Sequence, residues 1–254
     1  TALGGGVIRD LLLGRVPPMM FHKPIYAILA TIFAVATFLF ASCEQNDANS
    51  MKSDALEVNI NEFAAIPIFT TNANSLTQLE KDGLLMMREE EKMAQDVYDS
   101  FYSTYGVINF DRISNSEARH TTAILALINH FGLTDPALTE PGKFTSTAIQ
   151  KLYDQLIAAG TSSNAALSTG AYIEEYDIVD LKKLIAETEN TDILAVYANL
   201  LSGSENHLRA FVRSLAIQNI TYSPQILSST DFNAIIANSN STGFGKNRGR
   251  NGRN

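Results

Sequence analysis

The chain has 254 residues, of which 45% are hydrophobic, and a formal net charge of −8. That length supports one sizeable core with room for tails or a membrane segment, and the acidic balance excludes the basic stripe that a nucleic-acid binder needs. A single cysteine excludes an internal disulfide framework and a cysteine-based zinc cluster.

The chain opens on TALGGGVIRDLLLGRVPP. Gly4, Gly5 and Gly6 do not form a phosphate loop, because no Gly-Lys-Ser/Thr follows and no strand precedes them. Beginning at Thr1 rather than at a methionine, the stretch reads as a fragment, a fusion or a mis-set start. Ile25 to Ala41 is an apolar run without a charge. It suits a short membrane span or the apolar region of a signal peptide, with His22 and Lys23 a weak positive flank. The run ends in Phe40-Ala41-Ser42-Cys43 before the polar EQNDANS. This is similar to a bacterial lipoprotein signal, with Cys43 as the lipidated residue and Phe40 where leucine is usual. Residues 1–28 also resemble a fragment of the bacterial glycine-transporter-like, trimeric-intracellular-cation-channel membrane family, in which a triple glycine and an R-D-x-L-L-G-R run precede a membrane helix. One such unit cannot form a channel. Either reading of residues 1–43 leads the chain to the cell envelope, anchored by lipid or by a single span.

Residues 44–74 mix Asn, Ser, Asp and Glu with short apolar patches and read as a flexible linker. From residue 75 the pattern turns to long segments of 3.6-residue period. Helix 1 is expected from Ser75, where S-L-T-Q has the form of a capping box, to Gly106. Helix 2 is expected from Ser114, with S-N-S-E as a second capping box, to Phe131, with Gly132 as its terminator. A crossover, LTDPALTEPGKF, leads to a shorter helix over Thr145 to Ala159. Helix 3 spans Ser163 to Glu187, with a break near Asp177 left open. Helix 4 runs from Thr191 to Gln218. Beyond the domain, residues 223–254 hold a short helix near Asp231 to Ala237 and a basic tail with one aromatic residue, which reads as a solvated terminus. The fold class is therefore all-α: a four-helix bundle with an extra crossover helix over residues 75–222, preceded by a hydrophobic N-terminal helix.

On a 100° helical wheel, each long helix offers an ionisable residue within its apolar stripe. Helix 1 offers Glu90 near the centre and Glu91 at the edge, with Glu89 and Lys92 facing solvent. Helix 2 offers Glu117 and His120, three residues apart on one face. Helix 3 offers Glu174 and, three residues on, Asp177; Glu175 lies off the face. Helix 4 offers His207. A two-metal site in a bundle needs anionic oxygens and an imidazole for each cation, supplied by a lone Glu on each of two helices and Glu-x-x-His on the other two. Here Ser204 stands where the second Glu-x-x-His would place its glutamate, and Glu205 is turned about 100° away. The plainer readings stay open: Glu117 as the third residue of a capping box, each histidine as a hydrogen-bonded core residue, and Glu89 to Lys92 as a solvated face.

LTQLEKDGLLMMREEEKMAQDVY, SNSEARHTTAI, GAYIEEYDIVDL and YANLLSGSENHLRAFV together resemble the bacterial domain of unknown function 2202 family of the ferritin-like superfamily. The spacing Glu91-x-x-Ala94-x-x-x-Tyr98 resembles the first helix of ferritins and rubrerythrins, where that glutamate binds iron. The resemblance implies metal ligation by Glu91 ahead of Glu90, and by Glu117, His120, Glu174 and His207, with Asp177 a further candidate. Tyr98 and Ser204 would then lie beside the ligands. The expected function is a membrane-tethered metal-binding domain with di- or mononuclear iron, active if at all in iron oxidation or in reduction of peroxide or O₂. The alternative is a metal-free helical interaction module of the envelope. Expected partners are the membrane and a second copy of the chain as a homodimer, and no nucleic acid.

Overall fold

A computed structural model describes residues 69–72 and 76–238. Among these residues there are six α-helices and no strand: α1 (Gln78–Tyr105), α2 (Ile108–His130), α3 (Thr147–Ala159), α4 (Ser163–Glu187), α5 (Thr191–Ile217) and α6 (Ser229–Ala237). None of them is long and apolar enough to cross a membrane. The apolar run over 25–41, Cys43, most of the linker and the basic tail lie outside the described residues.

Local chemistry sets most boundaries. α1 starts two residues later than the S-L-T-Q reading, because the working capping box is Thr77 with Glu80. Thr77 Oγ1 accepts from the Glu80 N–H, and the Glu80 carboxylate accepts from the Thr77 N–H at 2.8 Å. Gly106, at φ 65°, ends the helix in the left-handed conformation. α2 begins at Ile108, six residues before the expected Ser114, and without a side-chain cap. S-N-S-E is therefore not a capping box. The tight turn at Gly106 drives Val107 and Phe110 straight into the core, and helix resumes at once. Ser114, nearly two turns inside, donates to Asp99 of α1. α2 closes with a Schellman turn: Gly132 at φ 65°, Leu133 N–H to Ile128 O at 2.9 Å and Gly132 N–H to Asn129 O at 3.1 Å. α3, α4, α5 and α6 start at Ser146, Ser162, Asn190 and Ser228, whose side chains each accept from the first turn. α4 is unbroken through Asp177.

α1 packs along α2, and α4 along α5; α1 also meets α4, and α2 meets α5. The four long helices thus close a circuit around one apolar core, with α3 against α1 and α4, and α6 against α5. One part of that core is aromatic. Tyr98, Phe110 and Phe211 lie with ring centroids 5.3–6.1 Å apart, and Phe101 meets Phe110 edge-on at 5.5 Å. Gly170 lets α4 approach this cluster: a Cβ there would lie 2.6 Å from Phe211 Cζ.

Two expected solvent faces are buried. Glu89 accepts from the Thr145 and Ser146 N–H groups, at 2.7 and 3.2 Å, and so binds the start of α3 to α1. Lys92 donates to Asp96 at 2.5 Å and to the Glu140 carbonyl at 3.2 Å, under the ring of Phe144. Glu175 is likewise buried, not off the face. It accepts from Tyr222 Oη and from the N–H groups of Gln225, Ile226 and Leu227, holding the segment before α6 on the bundle. In each case a loop covers the helix face that a single-helix wheel assigns to water. At the chain's entry, Asp192 at the start of α5 accepts from the Thr70 and Thr71 N–H groups, at 2.8 and 2.7 Å.

Candidate metal centre

The long helices carry their charged groups inward at one level of the core. α1 places Glu90 and Glu91 there, α2 Glu117 and His120, α4 Glu174 and Asp177, and α5 Ser204 and His207, all buried. Helical spacing does the local work: Glu117 with His120, Glu174 with Asp177 and Ser204 with His207 are each three residues apart and share a face.

Glu117 is the centre of the arrangement. Its Oε2 lies 2.7 Å from His120 Nδ1, and its Oε1 lies 2.8 Å from His207 Nδ1. The two imidazoles stack with centroids 5.6 Å apart. On one side His120 Nδ1 also faces Glu91 Oε2 at 3.1 Å; on the other, His207 Nδ1 faces Glu174 Oε2 at 3.5 Å. Two groups of three result, Glu91–Glu117–His120 and Glu117–Glu174–His207, each with its ligand atoms within 4.8 Å of one another. Glu117 is common to both.

The neighbours of these groups orient them. Tyr98 Oη donates to Glu174 Oε1 at 2.5 Å, leaving Oε2 turned to His207. Ser204 donates to Asp177 and lies 2.9 Å from the Leu200 carbonyl. The position that lacks a glutamate on α5 therefore holds a carboxylate brought across from α4. A small cavity of about 10 Å³ is lined by Glu90, Glu91, Glu117, Glu174 and Asp177, with Ala94 and Ile173. Glu91 Oε1, Asp177 Oδ1 and both oxygens of Glu90 have no hydrogen-bond partner.

Charge is out of balance in this group. Five carboxyls face two imidazoles, so even doubly protonated rings would leave three negative charges uncompensated. Burial pushes Glu91 up to about 8 and Glu174 up to about 7, with His120 and His207 respectively pulling the other way. Burial and the neighbouring carboxylates hold Glu90 and Asp177 well above the ordinary range. Glu117 goes down: burial opposes ionisation, but His207 and His120 outweigh it. In the absence of cations, protons do the compensating.

The residues could hold a metal ion. Each group of three offers one imidazole nitrogen and two carboxylates, a donor set for first-row divalent ions, and Glu91 Oε1 is buried without a partner. Of the residues singled out in the sequence, Glu91, Glu117, His120, Glu174 and His207 lie in these groups. Glu90 and Asp177 line the cavity but belong to neither. The capping reading of Glu117 does not hold, because Glu117 sits more than two turns inside α2. Sequence reading missed Asp180, buried beside Glu90; its signal was the run Glu174, Asp177, Asp180 at every third position of α4.

Fold and site together define an all-helical protein with buried carboxylate–imidazole groups able to hold metal. The chain belongs to the family described as Uncharacterized protein domain (DUF2202), whose profile matches residues 80–239. It is 40% identical over 173 residues to the uncharacterized protein MJ0754 of Methanocaldococcus jannaschii, covering 67% of this chain and 94% of that protein. The crystal structure of hypothetical protein MJ0754 from the same organism superposes with a TM-score of 0.66 at 38% identity, over 69% of this chain and all of that one. Residues 1–42 match a second profile, described as Glycine transporter.

Proposed function

We propose that this protein is a ferritin-like four-helix bundle that binds two metal ions, most suitably iron, between α1, α2, α4 and α5. The observation that carries the reading is the division of Glu117 between the two histidines, one oxygen to each Nδ1. A carboxylate so placed would help hold both ions of a two-metal site. Glu91 and His120 complete one position; Glu174 and His207 complete the other. Asp177, held by Ser204, stands next to this pair in the cavity that Glu91, Glu117 and Glu174 also line.

Iron bound there would supply electron-transfer chemistry toward O₂ or peroxide. The chain's own groups position it and manage protons. Glu91 and Glu174 give up protons when a cation enters, and Tyr98 fixes the rotamer of Glu174. The aromatic cluster of Tyr98, Phe110 and Phe211 keeps that side of the site dry. The test is elemental analysis of protein purified without chelators, with an absorbance titration using Fe(II) and air. Wild-type protein is expected to take up iron, and His120→Ala to lose about half of it. Absence of iron in the wild type, with metal content and melting temperature unmoved in His120→Ala, sinks the reading.

A second reading, a metal-free helical module for partner binding, draws on Ser204, which removes one ligand of the full template. Attachment to the envelope is a further part of the proposal. Its support is the apolar run Ile25 to Ala41 with Cys43, and the likeness of residues 1–42 to the glycine transporter family. Cell fractionation decides it: a lipid anchor predicts that Cys43→Ala leaves the membrane fraction, whereas a spanning helix predicts that it stays.

A further inference from the structure

The cavity shares Glu91, Glu117 and Glu174 with the two imidazole-bearing groups and adds Glu90 and Asp177 to them. It is bounded by five carboxyls and no imidazole, lysine or arginine. Four carboxylate oxygens of its lining residues are buried without a hydrogen-bond partner: both of Glu90, Oε1 of Glu91 and Oδ1 of Asp177. Glu90 is 2% exposed and belongs to neither group of three. An unpartnered buried carboxyl is destabilising, so packing alone gives no reason for its presence. Asp180 adds a further buried carboxylate beside it.

We propose that this cavity is a separate cation position, with Glu90 as its distinguishing ligand and Asp177 and Glu91 as its partners, and that it takes one hard divalent cation of the Mn²⁺ or Mg²⁺ class. Size and charge define the ligand. About 10 Å³ accommodates one water-sized sphere, which excludes any organic substrate, and the carboxyl lining excludes an anion. Chemistry selects among cations, because an oxygen-only ligand set favours Mg²⁺, Ca²⁺ and Mn²⁺, whereas imidazole favours later first-row metals. The position rests on the metal-pair reading only through its shared carboxylates. Glu90 reaches it from α1 and Asp177 from α4, so the cation would tie together two long helices that meet directly in the circuit.

The test is Mn²⁺ binding to the full chain, counted by elemental analysis after anaerobic equilibrium dialysis. Wild-type protein is expected to hold about three Mn²⁺ per chain and Glu90→Gln, which keeps the side-chain shape, about two. The double variant His120→Ala, His207→Ala is expected to keep the ion at Glu90. A second measurement needs no variant: millimolar Mg²⁺ should displace about one Mn²⁺ per chain from wild-type protein and leave about two. Equal stoichiometry and affinity in wild type and Glu90→Gln, or no Mg²⁺-displaceable ion, overturns the proposal while a retained pair leaves the two-metal reading standing. A wild-type chain that binds no Mn²⁺ overturns both.

Discussion

Adjacent glutamates on α1 have separate roles. Glu89, Glu90 and Glu91 follow one another in sequence, and all three are buried. Glu91 faces His120, Glu90 faces the cavity, and Glu89 caps the start of α3. The roles diverge because successive side chains on a helix point about 100° apart, and three different neighbours happen to cover those directions. Glu89→Ala should therefore leave the Thr145 and Ser146 N–H groups without their acceptor. We expect a loss of about 1–3 kcal/mol in urea denaturation, with metal content unchanged. An unchanged midpoint would mean that water replaces the carboxylate at no cost. The wheel sorted Glu90 and Glu91 inward from apolar periodicity alone. It misassigned Glu89 and Glu175 because their partners are loops, 145–146 and 225–227, far along the chain.

Among the elements, α4 carries the tightest constraint. It presents Glu174, Asp177 and Asp180 on successive turns and must also approach the aromatic cluster at Gly170. A methyl group at Gly170 would meet the Phe211 ring at 2.6 Å, well inside normal contact. Gly170→Ala should force Phe211 aside and, through its ring contact, Tyr98. The expected cost is about 1–3 kcal/mol of stability. Weakened metal retention should accompany it, as Tyr98 loses its bond to Glu174. Urea denaturation and dialysis against a chelator read the two effects separately. Helix existence was legible for every one of these elements, since their apolar periods are long. The start of α2 was not: S-N-S-E has the pattern of a capping box, yet the Gly106 turn and the burial of Val107 and Phe110 begin the helix earlier.

For the whole molecule, the buried carboxyls make stability depend on pH in a direction that metal opposes. Glu91 and Glu174 are raised from 4.5 to about 8 and about 7. A raised carboxyl binds protons more tightly when folded, so its contribution is complete below about 4.5 and is lost as pH rises through the folded value. Glu117, lowered by its histidines, runs the other way and loses its contribution on acidification. Metal-free protein should thus melt highest at mildly acidic pH and lower at about pH 8.5. Cations replace those protons, so the rise in melting temperature on adding Mn²⁺ should be larger at about pH 8.5 than at about pH 5.5. Thermal melts with chelator and with metal check this; a metal-free melting temperature that rises from pH 5.5 to 8.5 would contradict it. The sequence by itself determined an all-helical chain and the order of its helices, and its helical period and i, i+3 spacing turned Glu90, Glu117, His120, Glu174 and His207 inward, with Glu91 at the edge, because these are local properties. Only the tertiary structure decided that Glu117 divides between two histidines, that Ser204 holds Asp177 from a neighbouring helix, and that Glu90, in neither group, lines a cavity with carboxyls of both. Those relations depend on how the helices rotate and slide against one another, and that is set by side-chain packing across the core rather than by any one helix.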